Sequence, residues 1–487
     1  MVSRIGFATV ILIALFDKLS KGCDNCFLTK KSFLETYCVD SLGYSFAHCD
    51  RSTSNQPEEF VHWKVQYVAL RALGQTIGTV AAVFVANKLG RRAAIMHGFL
   101  VVAIATALAI SWTNAWFMLF TRLLIGFGDG LAAGPILIWI SESFHGDVNH
   151  RGRALAAVPM AGCVALVLAA LAVFLIEDWR VSAGLNLAPV PFILLVRFSG
   201  WWPESPVWLR EKDGGTVEPE KSAPKAVTTE STGLLNARVD EVEEDAAVDK
   251  CQEEPGTFAV YKDGSMRLRL FVCSMVFILD CLSGSNAVVS YGTLLMKDVG
   301  VSSPVLAEML IYACNLLGTL LSMTVIDCAG RKRLLLGGAL GMCVLLGATP
   351  LFLVLVGSSG DGTLLDSSSW TWATAVFTSL LCAFLFTNAL TVGPIGWVYV
   401  SEVFPFKSRA HAVQMVLVVQ GAAAYLASYT PYLIFYAGIS WSFLVFMFFG
   451  LLLALLTQKF VIETAGRSVV QIDTKFRELA ARTPGFT

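Results

Sequence analysis

Charged residues are scarce in this sequence. Only 15% of its 487 residues are charged and 55% are hydrophobic, whereas roughly 25% of the residues in an average soluble domain are charged. Such a chain has too few polar side chains to cover a water-soluble fold. Basic residues are not in excess either, because the formal net charge is −1, and nucleic-acid binding needs a basic face or stripe. We therefore expect a protein whose partner is the lipid bilayer and not nucleic acid.

Patterns typical of enzymes and metal sites are also missing. The His residues are scattered, and we find no nucleophile motif, phosphate loop or cluster of His with carboxylates. The sequence therefore predicts neither an enzyme nor a cofactor. Most Cys residues stand singly in apolar runs, but Cys23, Cys26, Cys38 and Cys49 lie in or beside one polar loop. A disulfide such as Cys38–Cys49 could form if that loop faces outside; zinc binding by Cys23 and Cys26 is the alternative.

Long apolar segments recur along the whole chain. Twelve, in two sets of six, are long enough to cross roughly 30 Å of hydrocarbon. They lie at residues 5–28, 62–86, 93–112, 115–140, 154–176, 181–201, 268–296, 305–326, 334–356, 370–400, 411–434 and 439–461. The first also fits a signal peptide, because its apolar run is short and follows Arg4, although no small-residue cleavage site follows.

These segments predict an all-α membrane protein of twelve transmembrane helices in two six-helix bundles. The predicted divisions are an N-terminal bundle (1–202), a polar linker (203–266), a C-terminal bundle (267–461) and a tail (462–487). Basic residues follow the second, fourth, eighth and tenth segments. The positive-inside rule makes that side cytoplasmic, so both termini and the linker are expected there, and residues 29–60 outside.

Three loop signatures occur once in each half and in the same order. Gly90-Arg91-Arg92 after the second segment matches Gly330-Arg331-Lys332 after the eighth, and Glu142 before Arg151 matches Glu402 before Arg409. Pro203-Glu204 after the sixth segment likewise matches Ile462-Glu463 after the twelfth. Such duplication predicts two bundles around a central cavity and alternating access. The charges would form a latch between the bundles, although they could instead serve only to set the topology.

Several of these motifs, taken together, resemble the sugar porters of the major facilitator superfamily over nearly the whole chain. The matching stretches are NKLGRR (87–92), RLLIGFGDG (122–130), Glu142 with Arg151-Gly152, PESPVWL (203–209), SGSN (283–286), DCAGRK (327–332), GPIGWVYVSE (393–402) and ETAGR (463–467). The resemblance implies transport of a hexose or a related sugar or polyol. It also implies a monomeric functional unit, which we expect in the plasma membrane.

The resemblance further implies a substrate site on the seventh, eighth, tenth and eleventh segments. Carried over by position, its residues are Asp280, Cys281, Asn286, Asn315, Trp397 and Gln420. Amide and carboxylate groups suit sugar hydroxyls, and the Trp offers an apolar face to a sugar ring. The expected gating residues are Tyr291, Asn87, Arg91, Arg92, Glu142, Arg151, Glu204, Asp327, Arg331, Glu402, Arg409 and Glu463. The alternative is that the polar residues only bond between helices and that the Trp packs in the core.

Proton coupling is a further expectation. Proton-coupled sugar porters pair an acid on the first segment with a fourth-segment arginine, which Arg122 matches here. The register of the first segment is uncertain, so Asp17 and Asp129 are both candidates for the acid. Pro159 and Asp280 replace glutamines of the family's substrate site, and Asp280 could favour an amino-bearing substrate. Facilitated diffusion, organic-ion transport and a non-transporting sugar sensor on the same fold are the alternatives.

Overall fold

The computed structural model describes residues 2–51, 53–143, 148–199, 202–212, 263–356, 372–467 and 469–483. Regular structure in these residues is helical, and they contain no strand. Most of the predicted linker falls on residues 213–262, outside the described ranges. We number the long helices to follow the twelve predicted segments, and letters mark the pieces of a broken segment.

The first half contains six of these segments. Their helices are α1 (Val2–Phe27), α2 (Glu58–Leu89), α3 (Arg91–Ser111), α4 (Ala115–Ser143), α5 (Val148–Leu175) and α6, which consists of Trp179–Gly184, the 3₁₀ turn Leu185–Leu187 and Pro189–Ser199. Short helices at Lys31–Leu34, Glu35–Ser41, Phe46–Cys49 and Thr53–Asn55 connect α1 with α2. The helix Pro206–Lys212 follows α6.

The second half repeats this order, but three of its segments are broken. Its helices are α7a (Gly264–Leu282), α7b (Ser285–Asp298), α8 (Pro304–Ala329), α9 (Arg331–Val356), α10a (Trp372–Leu390), α10b (Val392–Val403), α11a (Phe406–Ala427), α11b (Thr430–Ala437), α12 (Ile439–Phe460) and α13 (Val469–Arg482). The break in the seventh segment lies at Gly284, where φ is +97°. Glycine adopts this left-handed conformation without the Cβ clash that other residues meet.

Length and hydropathy identify ten helices in the described residues that could cross a membrane, and α6 adds a shorter apolar one. The helix α1 is not among the ten. Its second half carries Asp17, Lys18, Lys21 and Asp24, which interrupt the apolar run. It nevertheless packs along α5, where Gly22 lies against Ala169. The helix α1 is therefore part of the packing of the first bundle.

The two halves pack their helices in the same way. The helix α2 packs on α4 as α8 packs on α10a, and α1 packs on α5 as α7a packs on α11a. Glycines allow the close approach of α2 and α4, since a Cβ on Gly126 would lie 2.0 Å from the Arg71 carbonyl oxygen. Small residues at such crossings are typical of membrane helices. The sequence repeat is therefore also a repeat of packing.

One end of the molecule, which we call the disulfide end, carries the bond between Cys38 and Cys49. Cys23 and Cys26 are buried free thiols in the same hydrophobic cluster. No group of three or more potential metal ligands occurs in the described part of the chain, so the zinc alternative gains no support. This cluster also includes Tyr291 and Tyr312 from the second half. We call the opposite end, at Gly90 and Gly330, the motif end.

Candidate functional site

Four charged side chains meet in the middle of the first half. A guanidinium nitrogen of Arg122 lies 2.5 Å from Oδ2 of Asp24, and Arg71 also contacts this oxygen. Arg71 reaches Asp129 as well, with 2.6 Å between Nη2 and Oδ2. Asp24 and Arg122 are only 2% and 1% exposed. We call Asp24, Arg71, Arg122 and Asp129 the charged centre.

The charged centre corrects one prediction. We expected Asp17 or Asp129 beside Arg122, but the carboxylate in contact is that of Asp24, and Asp129 contacts Arg71. The side chain of Asp17 lies outside the described residues. Asp24 follows Asp17 by seven positions, about two helical turns, so the two share a face. The sequence pattern alone therefore could not decide which of the two contacts Arg122. The sequence analysis also missed Arg71, although an arginine inside an apolar segment indicates a functional site.

The second half has a polar site at two helix breaks. Oδ1 of Asp280, near the end of α7a, accepts a hydrogen bond of 2.7 Å from Nδ2 of Asn388, near the end of α10a. The hydroxyls of Ser283 and Ser285 each donate to the Asp280 carbonyl oxygen at 2.8 Å. These bonds reinforce the last turn of α7a, where the Ser283 amide also donates to the Asp280 carbonyl at 3.2 Å. Asn388 was not among the predicted residues.

The other predicted substrate residues lie on helices of the second half. Asn315 accepts a bond of 3.4 Å from the Cys163 thiol of α5, so it lies where the halves meet. The Trp397 ring packs on Phe277 with 4.6 Å between centroids, and Asn286 approaches the Ala424 carbonyl at 3.5 Å. Cys281 is buried, and Gln420 is half-buried on α11a. Their contacts are those of bundle residues, and their role in binding stays a prediction.

The helix α7b closes the disulfide end against the first half. Nδ2 of Asn25 donates to the Val289 carbonyl at 2.9 Å, and the Thr293 hydroxyl donates to the Asn25 carbonyl at 3.2 Å. At its end, Lys297 pairs with Asp50 at 2.5 Å. Tyr291, predicted as a gate residue, is buried and donates to the Ser428 carbonyl at 2.7 Å.

Tyr291 also marks a kink in α7b, because its φ of −128° and ψ of 15° are not helical. The kink separates the part of α7b that follows Gly284 from the part that contacts residues 50–53. Kinks of this kind are places where a helix can change direction. The kink therefore divides α7b into two parts that contact different neighbours.

The motif end shows the same construction in each half. A glycine at φ +103° (Gly90) or +84° (Gly330) separates two helices. A glutamate then caps the following helix: Oε1 of Glu204 accepts from the Arg92 amide at 2.9 Å, and Oε1 of Glu463 from the Arg331 amide at 2.7 Å. A Cβ on either glycine would lie under 3 Å from that carboxylate, at 2.4 Å and 2.8 Å respectively.

An ion pair completes each copy of the motif. Arg91 pairs with Glu142 at 3.0 Å, and Arg331 pairs with Glu402 at 2.8 Å. Both described pairs lie within one half, whereas we expected pairs between the halves. The side chains of Arg151, Arg409 and Asp327 lie outside the described residues. The Asn87 side chain is exposed, and its carbonyl accepts from the Trp208 indole at 3.0 Å.

Comparison with known proteins agrees with this architecture. The chain is 27% identical over 447 residues to the glucose transporter GlcP of Staphylococcus epidermidis, covering 90% of this chain and 93% of the relative. It is 28% identical over 433 residues to facilitated glucose transporter protein 1 of Caenorhabditis elegans, covering 85% and 80%.

Solved structures show the same fold. The proton:xylose symporter XylE bound to 6-bromo-6-deoxy-D-glucose superposes with a TM-score of 0.70 at 20% identity, covering 96% of this chain and 99% of that one. The predicted fold class is thereby confirmed: the chain has the twelve-helix fold of the major facilitator superfamily. A family model described as "Sugar (and other) transporter" matches residues 38–476. The chain belongs to this family of sugar and related transporters.

Proposed function

We propose that this protein carries a hexose or a related sugar or polyol across a membrane by alternating access. The observation that carries the proposal is the bond between Asp280 and Asn388 where two broken helices meet. In transporters built from repeats, substrate sites lie at such breaks because they free backbone groups near the middle of the membrane. The relatives named as glucose transporters support the same substrate class.

The polar groups around this site suit a sugar. Carboxylate and amide groups at Asp280, Asn388 and Asn286 offer acceptors and donors for hydroxyls, and Trp397 offers an apolar ring face. Tyr291 and α7b would act as the gate of the disulfide end. At the motif end, Arg91–Glu142 and Arg331–Glu402 would hold each half rigid, so that the halves rock as units.

Proton coupling is the second part of the proposal, and we assign the proton to Asp24. Its carboxylate is shared by Arg71 and Arg122, so taking up a proton would weaken two ion pairs at once. The next residue, Asn25, holds the backbone of α7b. A change of charge at Asp24 would thus affect the contact between α1 and the gate helix α7b. Asp129 is the second candidate for the proton acceptor in the charged centre.

Orientation and location complete the proposal. Arg91, Arg92, Lys332 and Arg333 lie at the motif end, which the positive-inside rule makes cytoplasmic. The disulfide lies at the other end, as expected for an oxidising exterior. We infer cytoplasmic termini, a plasma-membrane location and a single chain as the functional unit.

Uptake of radiolabelled glucose into proteoliposomes, with and without an inward proton gradient, tests the proposal. We expect saturable uptake that a panel of hexoses and polyols inhibits, and accumulation only with the gradient. Asp24→Asn should abolish accumulation while downhill exchange continues, and Asp40→Asn, at an exposed position, is the matched control. Vesicles that take up no sugar or polyol would refute transport; equal accumulation by wild type and Asp24→Asn would refute the assignment of the proton.

A further inference from the structure

Glu308 of α8 is a buried acid that the proposed transport cycle does not use. It lies in the second turn of α8 and is 1% exposed. In the part of the chain that the structure describes, neither of its carboxylate oxygens has a hydrogen-bond partner. The hydroxyl of Tyr312, one turn further along the helix, donates to the Val289 carbonyl at 2.9 Å. A buried acid of this kind inside an apolar segment indicates a functional site.

The carboxyl group of Glu308 lies against the kink of α7b. A Cβ on Gly292 would lie 2.5 Å from its carboxyl carbon, so the acid packs directly on the α7b backbone. Gly292 follows Tyr291, the residue with non-helical φ and ψ. Val305 and Tyr312 lie on the same face of α8 as Glu308, and both belong to the hydrophobic cluster of the disulfide end. Moving α7b away from α8 would therefore uncover the carboxyl group.

The titratable groups that face Glu308 are not cations. They are the Tyr312 phenol on α8, the Cys26 thiol on α1 and the Cys382 thiol on α10a. Cys26 lies in the same hydrophobic cluster as Tyr312. Thiols and phenols are neutral when protonated and ordinarily ionise only above about pH 8. None of these groups therefore supplies a positive charge that would balance a carboxylate.

The charged groups of the neighbouring elements lie elsewhere or have other partners. They are Asp24 and Lys21 of α1, Lys30 after α1, and Lys297 and Asp298 at the end of α7b. Asp24 contacts both arginines of the charged centre, and Lys21 lies toward that centre. Lys30 donates to the Ile176 carbonyl at 3.2 Å, and the two α7b residues bind residues 50–53. Within the described ranges, α10a and the disulfide-end half of α5 carry no charged residue.

The surroundings of Glu308 decide its charge. A carboxylate ion that is removed from water without a partner is far less stable than the neutral acid, so such a group takes up a proton. With α7b packed on α8, Glu308 is therefore protonated. A glutamate in water ionises near about pH 4.3, so a carboxyl group that α7b no longer covers releases the proton.

We propose that Glu308 is a proton-binding site of the gate at the disulfide end. A proton from the solution on that side bonds to a carboxylate oxygen as α7b closes, and this O–H bond breaks again as α7b opens. Because the closed state holds one more proton, its stability relative to the open state falls as the pH rises. The inference rests on the proposed gating by α7b and adds a proton site separate from Asp24, to which the proposed function assigns the transported proton.

The distance between spin labels at positions 40 and 302 tests this site. Both positions are exposed, one in the first half and one just after α7b, and labels introduced as noncanonical amino acids leave the native thiols unchanged. In vesicles without sugar and with equal pH on both sides, the ratio of open to closed molecules should rise at least about tenfold from about pH 5 to about pH 8. Glu308→Gln should make this ratio independent of pH and keep the end closed, because its amide stays neutral.

Two control variants separate this site from other acids. Asp24→Asn should retain most of the pH dependence of the distance, and Glu35→Gln, at an exposed position, should retain all of it. Infrared spectra of the wild type give a second readout that does not need Glu308→Gln to fold. Isotope-labelled glutamate should show the C=O stretching band of a protonated carboxyl group at neutral pH.

The outcomes distinguish the proton site from the proposed function. A pH dependence that survives in Glu308→Gln, or the absence of the protonated band from the wild type, would overturn the proton site. Sugar uptake that persists alongside either result leaves the proposed function standing. A pH-dependent distance in vesicles that take up no sugar would instead overturn the proposed function and support the proton site.

Discussion

The two halves of the molecule share a frame but differ at their centres. Each half carries the same motif of glycine, capping glutamate and arginine–glutamate pair. Away from this motif, the first half carries buried ion pairs around Asp24, whereas the second half carries broken helices and the bond between Asp280 and Asn388. Duplication therefore preserved the parts that hold each bundle together and allowed the centres to take different tasks.

This difference suggests a division of work. Ion pairs respond to a change of one charge, so the first half is suited to sense a proton. Broken helices offer directed hydrogen-bonding groups, so the second half is suited to bind a sugar. The helices α1 and α7b join the two halves, because Asn25 of α1 donates a hydrogen bond to the Val289 carbonyl of α7b. Substitutions in each half should consequently produce different kinds of defect.

The largest effect should come from Arg71→Met in the first half. It removes the cation that Asp24 and Asp129 share, and removing one partner of a buried ion pair costs about 3–5 kcal/mol. We expect a lower melting temperature and a loss of sugar uptake of more than about 100-fold. Arg71→Lys keeps the charge but not the forked geometry of the guanidinium, so its melting temperature and sugar uptake should lie between those of the wild type and Arg71→Met. Normal stability of Arg71→Met would contradict the role of the charged centre.

A change in the second half should affect affinity more than coupling. Asn388→Ala leaves Oδ1 of Asp280 without its donor, and an unsatisfied buried polar group costs about 1–3 kcal/mol. The half-saturating sugar concentration should rise about 5- to 100-fold, while dependence on the proton gradient persists. Ser379→Ala, at an exposed position of the same helix, is the control. An unchanged affinity would show that Asn388 does not contribute to sugar binding.

The link between the halves should give an intermediate effect. Asn25→Ala removes the side-chain bond to the Val289 carbonyl, which contributes about 1 kcal/mol. The population of molecules open at the disulfide end should therefore increase about fivefold. The buried thiol of Cys26 reports this opening. Its labelling by an impermeant maleimide, quantified by peptide mass spectrometry in a Cys23→Ser background, should accelerate accordingly. An unchanged labelling rate would exclude Asn25 as a gate contact.

The smallest effects should be equal in the two halves. Glu142→Gln and Glu402→Gln each remove the charge of one member of a corresponding pair but keep an oxygen that can accept the arginine's hydrogen bond, so each should cost about 1 kcal/mol or less. Each should change the maximal transport rate by less than about fivefold. The effects should be similar and should add in the double variant. A large effect in one half only would show that the motifs have diverged in role.

The sequence was sufficient to predict the helices and their repetition, because apolar runs and loop motifs are local features. Residues brought together by helix packing were harder to predict. Asp24 and Asp17 lie on the same helix face, so periodicity cannot choose between them. Asn388 meets Asp280 only because the seventh and tenth segments are both broken, and hydropathy does not locate a break by itself.

Alternating access is the central claim, and distances at the two ends test it most directly. Spin labels at positions 59 and 436 report the disulfide end, and labels at positions 87 and 328 report the motif end, all at exposed residues. In vesicles, addition of transported sugar or a change of pH should lengthen one distance and shorten the other. If sugar binds and both distances stay fixed or change together, the two halves do not alternate.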